Sequence, residues 1–168
     1  MKFENPMSHS FQKKHLQPWG LELVNKYPLI FLEKSADIAC YTAGLNPDEV
    51  VNLRYGFEHG EGWKKLIDDL ASTATQLVTQ LREAGKDASI HGCICKEKFG
   101  GLRWQGDCSL PPLETKLWNA FFRDIETQSY NVCEITGEFG QICKRDSGWV
   151  KTLCAEEAEK LGYTVVER

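Results

Sequence analysis

The side chains best suited to chemistry in this chain of 168 residues are its seven cysteines and four histidines. Cys133, Cys143 and Cys154 lie in the tail. Cys133-Glu134-Ile135-Thr136-Gly137 has the outline of a zinc knuckle, where two ligands about three residues apart on a tight turn reach one tetrahedral ion. Here the second position is Thr136, which is not a usual zinc ligand. The far pair would begin at Cys154, and three residues on stands Glu157, a permissible but uncommon structural ligand. With both second positions altered, the expectation is a metal-free module in which Cys133 and Cys154 stay close as packed thiols. Zinc on Cys133 and Cys154 is the alternative, and no other cofactor is expected.

The histidines give little support to catalysis. His91 stands two residues before Cys93, and residues two apart on a strand share a face. A Cys-His nucleophile also needs a third group to orient the base, and the sequence shows none nearby. His59-Gly60-Glu61-Gly62 precedes a helix, whose glycine-rich start can hold an anion through free N–H groups. Glu58 and Glu61 would repel that anion and suit the helix dipole instead, so the segment reads as a cap. His9 and His15 fall in a polar N-terminal stretch and read as solvated. No His-Glu-x-x-His pair, Walker loop, nucleophile elbow or dinucleotide fingerprint is present. The expectation is a protein that is not an enzyme.

The most informative element is a hairpin. The segment from Asp87 to Glu97 has strand character, Gly100-Gly101 reads as a two-residue turn, and Leu102 to Asp107 is the return strand. In that register Phe99 faces Leu102, Lys98 faces Arg103, Glu97 faces Trp104, and Cys93 faces Cys108. One face holds Cys93, Cys95, Glu97, Phe99, Leu102, Trp104 and Cys108, and the other holds Lys96, Lys98, Arg103 and Gln105. Glu97, Phe99, Gly100, Gly101 and Trp104 are therefore expected to be structural. Glu97 among apolar neighbours needs a cation or donors, with Arg54 a candidate. Lys98 opposite Arg103 destabilises the hairpin unless an anion lies between them, from a partner or from the fold itself.

Around this hairpin the expected frame is α+β: a small antiparallel sheet packed by two long amphipathic helices, then a compact knuckle-like module. Residues 61–84 place Trp63, Leu66, Ile67, Leu70, Ala74, Leu77, Val78 and Leu81 at helical spacing, ended by Gly85. Pro111-Pro112 opens a second helix with Leu113, Leu117, Trp118, Phe121, Phe122 and Ile125 on a broad apolar face. A short helix is expected from Pro18 to Lys26, and one helical turn from Asp48 to Leu53. The tail carries a short helix near residues 153–161 and a last strand-like run, Tyr163 to Val166. The expected division is a flexible 1–15, a core of 16–130 and a module of 131–168.

Composition limits the functions. Hydrophobic residues make up 42% and charged residues 26%, which is ordinary globular composition. The net charge is −4, split evenly between the halves, so no basic domain is available to coat a phosphate backbone. No run approaches a membrane span, and the start lacks the apolar core of a secretory signal. Together with the odd cysteine count this predicts a cytoplasmic protein.

Four segments occur in order: Gly56-Phe57-Glu58-His59-Gly60-Glu61-Gly62-Trp63, then Lys96-Glu97-Lys98-Phe99-Gly100-Gly101-Leu102-Arg103-Trp104, then Cys133-Glu134 to Gly137, then Gly148-Trp149-Val150-Lys151-Thr152-Leu153-Cys154. Over roughly residues 50–157 the chain resembles a widespread family of small bacterial and phage proteins. That family carries a Gly-Trp helix start, a Lys-Glu-Lys-Phe-Gly-Gly-Leu-Arg segment and a terminal zinc-knuckle-like tail. This chain departs from it at Thr136 and Glu157, where the family carries metal ligands. The resemblance implies an immunity or accessory factor, hence a protein that binds and occludes a cognate toxin in a one-to-one complex. Asp68, Asp69, Lys98 and Arg103 are candidate contact residues. The alternative is a nucleic-acid accessory protein using Lys96, Lys98, Arg103, Lys144 and Arg145 with stacking from Trp104 or Trp149.

Overall fold

The computed structural model describes residues 11–33 and 49–167. The expectations for residues 1–10 and for 34–48 lie outside the described residues. Of residues 11–15, expected to be loose, Phe11 and Gln12 are docked on the fold, while Lys14 and His15 are exposed. Phe11 packs on the core against Gly56, and its carbonyl accepts from the Val51 N–H at 3.1 Å.

Proline and glycine punctuate the helices where the sequence places them. Helix α1, Pro18–Lys26, begins on a proline and ends at Tyr27, before the Pro28 that opens α2, Pro28–Phe31. A 3₁₀ turn, Glu61–Trp63, leads into α3, Lys64–Glu83, and Gly85 follows in the left-handed region at φ 74°. Helix α3 buries Leu66, Ile67, Leu70, Ala71, Ala74, Val78 and Leu81, at about 1.5–3 kcal/mol for each large side chain, so this face anchors the core. Helix α4, Pro112–Ser129, buries a narrower stripe than its sequence suggests. Trp118 and Ile125 are inside, whereas Leu113 and Leu117 are exposed.

The first sheet has the order β1-β2-β3, with β1 at Phe57–Glu58, β2 at Ser89–Lys98 and β3 at Gly101–Ser109. Strand β1 runs parallel to β2, so the sheet is mixed, not purely antiparallel. The β2–β3 register differs from the expected one by two residues. Lys98 pairs with Gly101, Glu97 with Leu102, Lys96 with Arg103 and Cys95 with Trp104. The turn residues are thus Phe99 and Gly100, both at positive φ (55° and 81°), as a primed hairpin turn requires. A two-residue slip leaves every side chain on its face. Cys95, Leu102 and Trp104 accordingly are core, as expected. Phe99, pushed to the turn, is 69% exposed and packs on neither face. A bulge between Gly92 and Ile94 breaks the alternation, and Cys108 pairs with Ile90, not with Cys93. Gly92 has no room for a Cβ, which would lie 2.6 Å from the Trp104 ring.

The second sheet, order β5-β4-β6, comprises β4, Gln141–Lys144, β5, Val150–Leu153, and β6, Thr164–Val165, with α5, Ala155–Leu161, between the last two. It has its own small core of Cys133, Cys143, Leu153, Ala158 and Tyr163. No helix among the described residues is long and apolar enough to cross a membrane.

Candidate functional site

The four sequence segments singled out above meet at one junction. Gly60 and Gly62 let the 3₁₀ turn lie directly against the backbone of Cys133 and Glu134, where a Cβ on either glycine would collide with a carbonyl oxygen. The Gly62 N–H donates to the Glu134 carbonyl at 2.9 Å, and Trp63 Nε1 donates to the Val132 carbonyl at 2.8 Å. Thr152 Oγ1 donates to the Gly100 carbonyl at 2.6 Å, and the Glu134 N–H donates to the Thr152 carbonyl at 3.0 Å. Gly101 has no space for a side chain because Tyr130 fills it. The motif glycines thus serve close packing between the hairpin, the start of α3 and the tail.

On the outer side of this junction the hairpin tip and the β4–β5 turn enclose an open groove of about 410 Å³, lined by Glu97, Lys98, Phe99, Ser147, Gly148, Trp149 and Val150. Phe99 and Trp149 are 69% and 67% exposed there. Lys98 Nζ sits 5.3 Å from the centre of the Phe99 ring. Glu97 takes its donor from its own turn, the Gly100 N–H at 2.7 Å. Arg54 is exposed, and its backbone N–H donates to the Cys93 carbonyl. Behind the groove Glu134 is buried and paired with Lys151. Burial pushes its carboxyl above the usual range despite the Lys151 hydrogen bond, and its Oε2 has no partner.

The other candidate contact residues are tied into the fold. Arg103, opposite Lys96 and not Lys98, pairs with Glu126, donates to Tyr130 Oη at 2.8 Å and lies over the Tyr130 ring. The Arg103 charge is therefore neutralised internally. Asp68 accepts from Lys26 at 2.7 Å and from the Tyr27 hydroxyl at 2.8 Å, and Asp69 pairs with Lys65 at 2.9 Å. Lys98 alone of the four lines the groove. Trp104, one of the two stacking candidates, is buried, whereas Trp149 is exposed. Arg145 donates to the Leu161 carbonyl and lies 4.8 Å from the Tyr163 ring centre.

A Cys-His pair exists, but not the one the spacing suggests. His91 and Cys93 flank the bulge, while His59 Nε2 lies 3.4 Å from Cys95 Sγ. The Gly60 carbonyl, 2.8 Å from Nδ1, holds the proton there, so Nε2 accepts from the thiol. The ring sits among Trp19, Phe57 and Trp63, with centroids 5.5–5.8 Å away. Burial lowers the His59 pKa to about 4, and the nearby Lys151 charge adds to this. Burial, and then Glu58, push the Cys95 thiol well up. Both groups are held neutral and Cys95 is inaccessible, so the pair is a packed hydrogen bond and not an activated nucleophile. The sequence hides it because it joins the residue that follows β1 to β2, which β1 meets in a parallel pairing of only two residues.

In the tail, Cys133 and Cys154 do lie together, sharing the Thr136 hydroxyl. Burial pushes the Cys133 thiol up, yet hydrogen bonds from that hydroxyl and from the N–H groups of Cys154, Thr136 and Ile135 outweigh it and leave the thiol below its ordinary value. Thr136 Oγ1 is also 3.8 Å from Cys154 Sγ. Glu157, the fourth knuckle position, is bound to Lys160 at 3.0 Å. Among the described residues no three His, Cys, Asp or Glu side chains are placed to share a metal ion. The donor set therefore does not fit tetrahedral zinc.

In comparisons with known proteins, the chain matches no family model, no curated protein and no solved structure.

Proposed function

We propose that this chain is a cytoplasmic protein-binding module that recognises its partner through the Phe99–Trp149 groove. Following the sequence resemblance, the partner is a bacterial toxin domain, occluded one-to-one with no reaction turned over. The observation that carries this reading is Phe99. A β-hairpin of this type favours Asn or Gly at its first turn position, since an L-residue in the left-handed region costs about 1–2 kcal/mol. Here a bulky aromatic occupies it at φ 55° and is left exposed, so no burial offsets the cost. Strain held without a packing return points to use elsewhere. Trp149, equally exposed across the same groove, supplies a second rigid aromatic, the residue type that dominates binding hot spots.

The nucleic-acid alternative loses support from the burial of Trp104 and from the internal engagement of Arg103 and Arg145. The test is a titration of the chain into any toxin domain found encoded beside it, reading both complex formation and residual toxin activity. Saturable one-to-one inhibition that weakens when Trp149 is replaced by alanine supports the proposal. A toxin left fully active in a stoichiometric mixture refutes it.

A further inference from the structure

His91 is a buried titratable group that neither the groove nor the tail uses. It is 6% exposed, and neither ring nitrogen has a hydrogen-bond partner among the described residues. A neutral imidazole carries one donor and one acceptor, so both are buried here at a cost that nothing offsets. The backbone has no room to relieve this. A Cβ on Gly106 would lie 1.8 Å from the His91 carbonyl oxygen, so the two strands are pressed together, and the bulge at Cys93 follows at once. The side chain is the part left to move.

Charged side chains face the ring from each element around it. Glu33 follows α2, Arg82 belongs to α3, and Asp107 is the register partner of His91 on β3. Glu33 is committed, since Arg82 donates to both of its oxygens, at 2.9 and 3.1 Å, and also to the Ala88 carbonyl just before β2. Asp107 is exposed, and its Oδ2 meets a weak donor, the Cys93 thiol, at 3.9 Å. Side chains directly opposite each other on an antiparallel pair share a face and lie within reach. We propose that His91 and Asp107 form an acid-operated clasp: the neutral ring stays buried, and the protonated ring turns to the Asp107 carboxylate across the strand pair. In its present place burial disfavours the charged ring and outweighs the pull of Glu33 and Asp107, so its pKa is lowered there. Beside Asp107 the charge has both a partner and water. The proton comes from solvent and stays on the imidazole, and no covalent bond between heavy atoms changes. Asp107 is the one charged side chain in the exposed run from Gln105 to Ser109, so the clasp also neutralises that end of β3.

The experiment is an acid titration of the full chain followed by nuclear magnetic resonance, reading the histidine ring-nitrogen shifts, which report protonation, and the backbone amides. His91→Gln and His59→Gln identify the two rings, and through-bond correlation to its own Cβ assigns His91 should His91→Gln fail to fold. In the wild type the His91 ring is expected to take up its proton while the chain stays folded, and the Asp107 amide to move with the same midpoint. Asp107→Asn is expected to lower that midpoint by at least about half a pH unit, Asp107→Glu to restore it, and Glu33→Gln to lower it by less. Asp107 is exposed, so its variants keep the fold. A ring that stays neutral until the chain unfolds would overturn the proposal. So would an Asp107 amide that does not follow the ring, a midpoint unmoved by Asp107→Asn, or a larger shift in Glu33→Gln. That last result would mean that the ring takes its proton without leaving its place.

Discussion

His59 gives the fold a dependence on acid that can be worked out from its surroundings. Its ring is neutral in the folded chain, with a pKa of about 4 against an ordinary 6.5, because burial among three aromatic rings penalises the charged form and the nearby Lys151 charge adds to this. Above the unfolded value both states are neutral, and the stability associated with the neutral ring is fully present. As pH falls below 6.5 the unfolded chain takes up a proton that the folded chain refuses, and stability drops until the folded ring also protonates near 4. The full shift corresponds to about 3 kcal/mol. The ring keeps some contact with water, which trims this to roughly 2 kcal/mol. The assay is urea unfolding of the wild type and His59→Gln at intervals from about pH 7.5 to about pH 4, within the linear-extrapolation range. The variant should be the less stable protein at the upper end, having lost the ring contacts. The gap should then close by roughly 2 kcal/mol towards the lower end. His91, whose pKa burial also lowers, is present in both proteins and cancels in the difference. A gap that stays constant with pH would refute the reasoning, because it would mean that His59 titrates alike in both states.

Four further outcomes follow from the packing. Phe99→Asn should raise stability by about 1 kcal/mol, read as a shift of about 3 °C in thermal midpoint, because Asn tolerates the left-handed turn position and no buried contact is lost. Gly62→Ala should destabilise by about 3 kcal/mol and expose the tail to limited proteolysis, since its Cβ would drive into the Cys133 carbonyl and the Glu134 backbone. Arg103→Ala should cost about 1–2 kcal/mol in urea unfolding through loss of Glu126 and Tyr130, while Lys98→Ala should change stability by less than about 0.5 kcal/mol.

The legible parts of the fold were those governed by local physics. Pro18, Gly85 and Pro112 mark helix ends by backbone geometry alone, and the three- and four-residue spacing from Leu66 to Leu81 fixes a buried face without knowledge of what covers it. The α+β class follows from these helices and the hairpin. The hairpin turn was misplaced for an instructive reason. Gly100-Gly101 is the better turn by propensity, but Gly101 is small to admit Tyr130, and the turn falls on the strained Phe99 instead. The cap reading of His59-Gly60-Glu61-Gly62 captured the helix start. It missed that Gly60 and Gly62 serve contact with the tail and that His59 meets Cys95, both being partners far along the chain. Leu113 and Leu117 share the helical period of Trp118 and Ile125, and periodicity cannot say how far the covering layer extends. Trp149 gave no local sign of exposure, so the groove could be seen only once the hairpin and the β4–β5 turn were placed side by side.

The proposal that the exposed aromatic pair is the recognition surface is tested most directly by the double variant Phe99→Asn, Trp149→Ala against the proposed toxin partner, with calorimetric titration as the readout. The double variant should fold, be at least as stable as the wild type at the hairpin, and lose at least about 30-fold in affinity, the loss expected when a hot spot of about 2 kcal/mol is removed. A double variant that binds and protects as well as the wild type would contradict it.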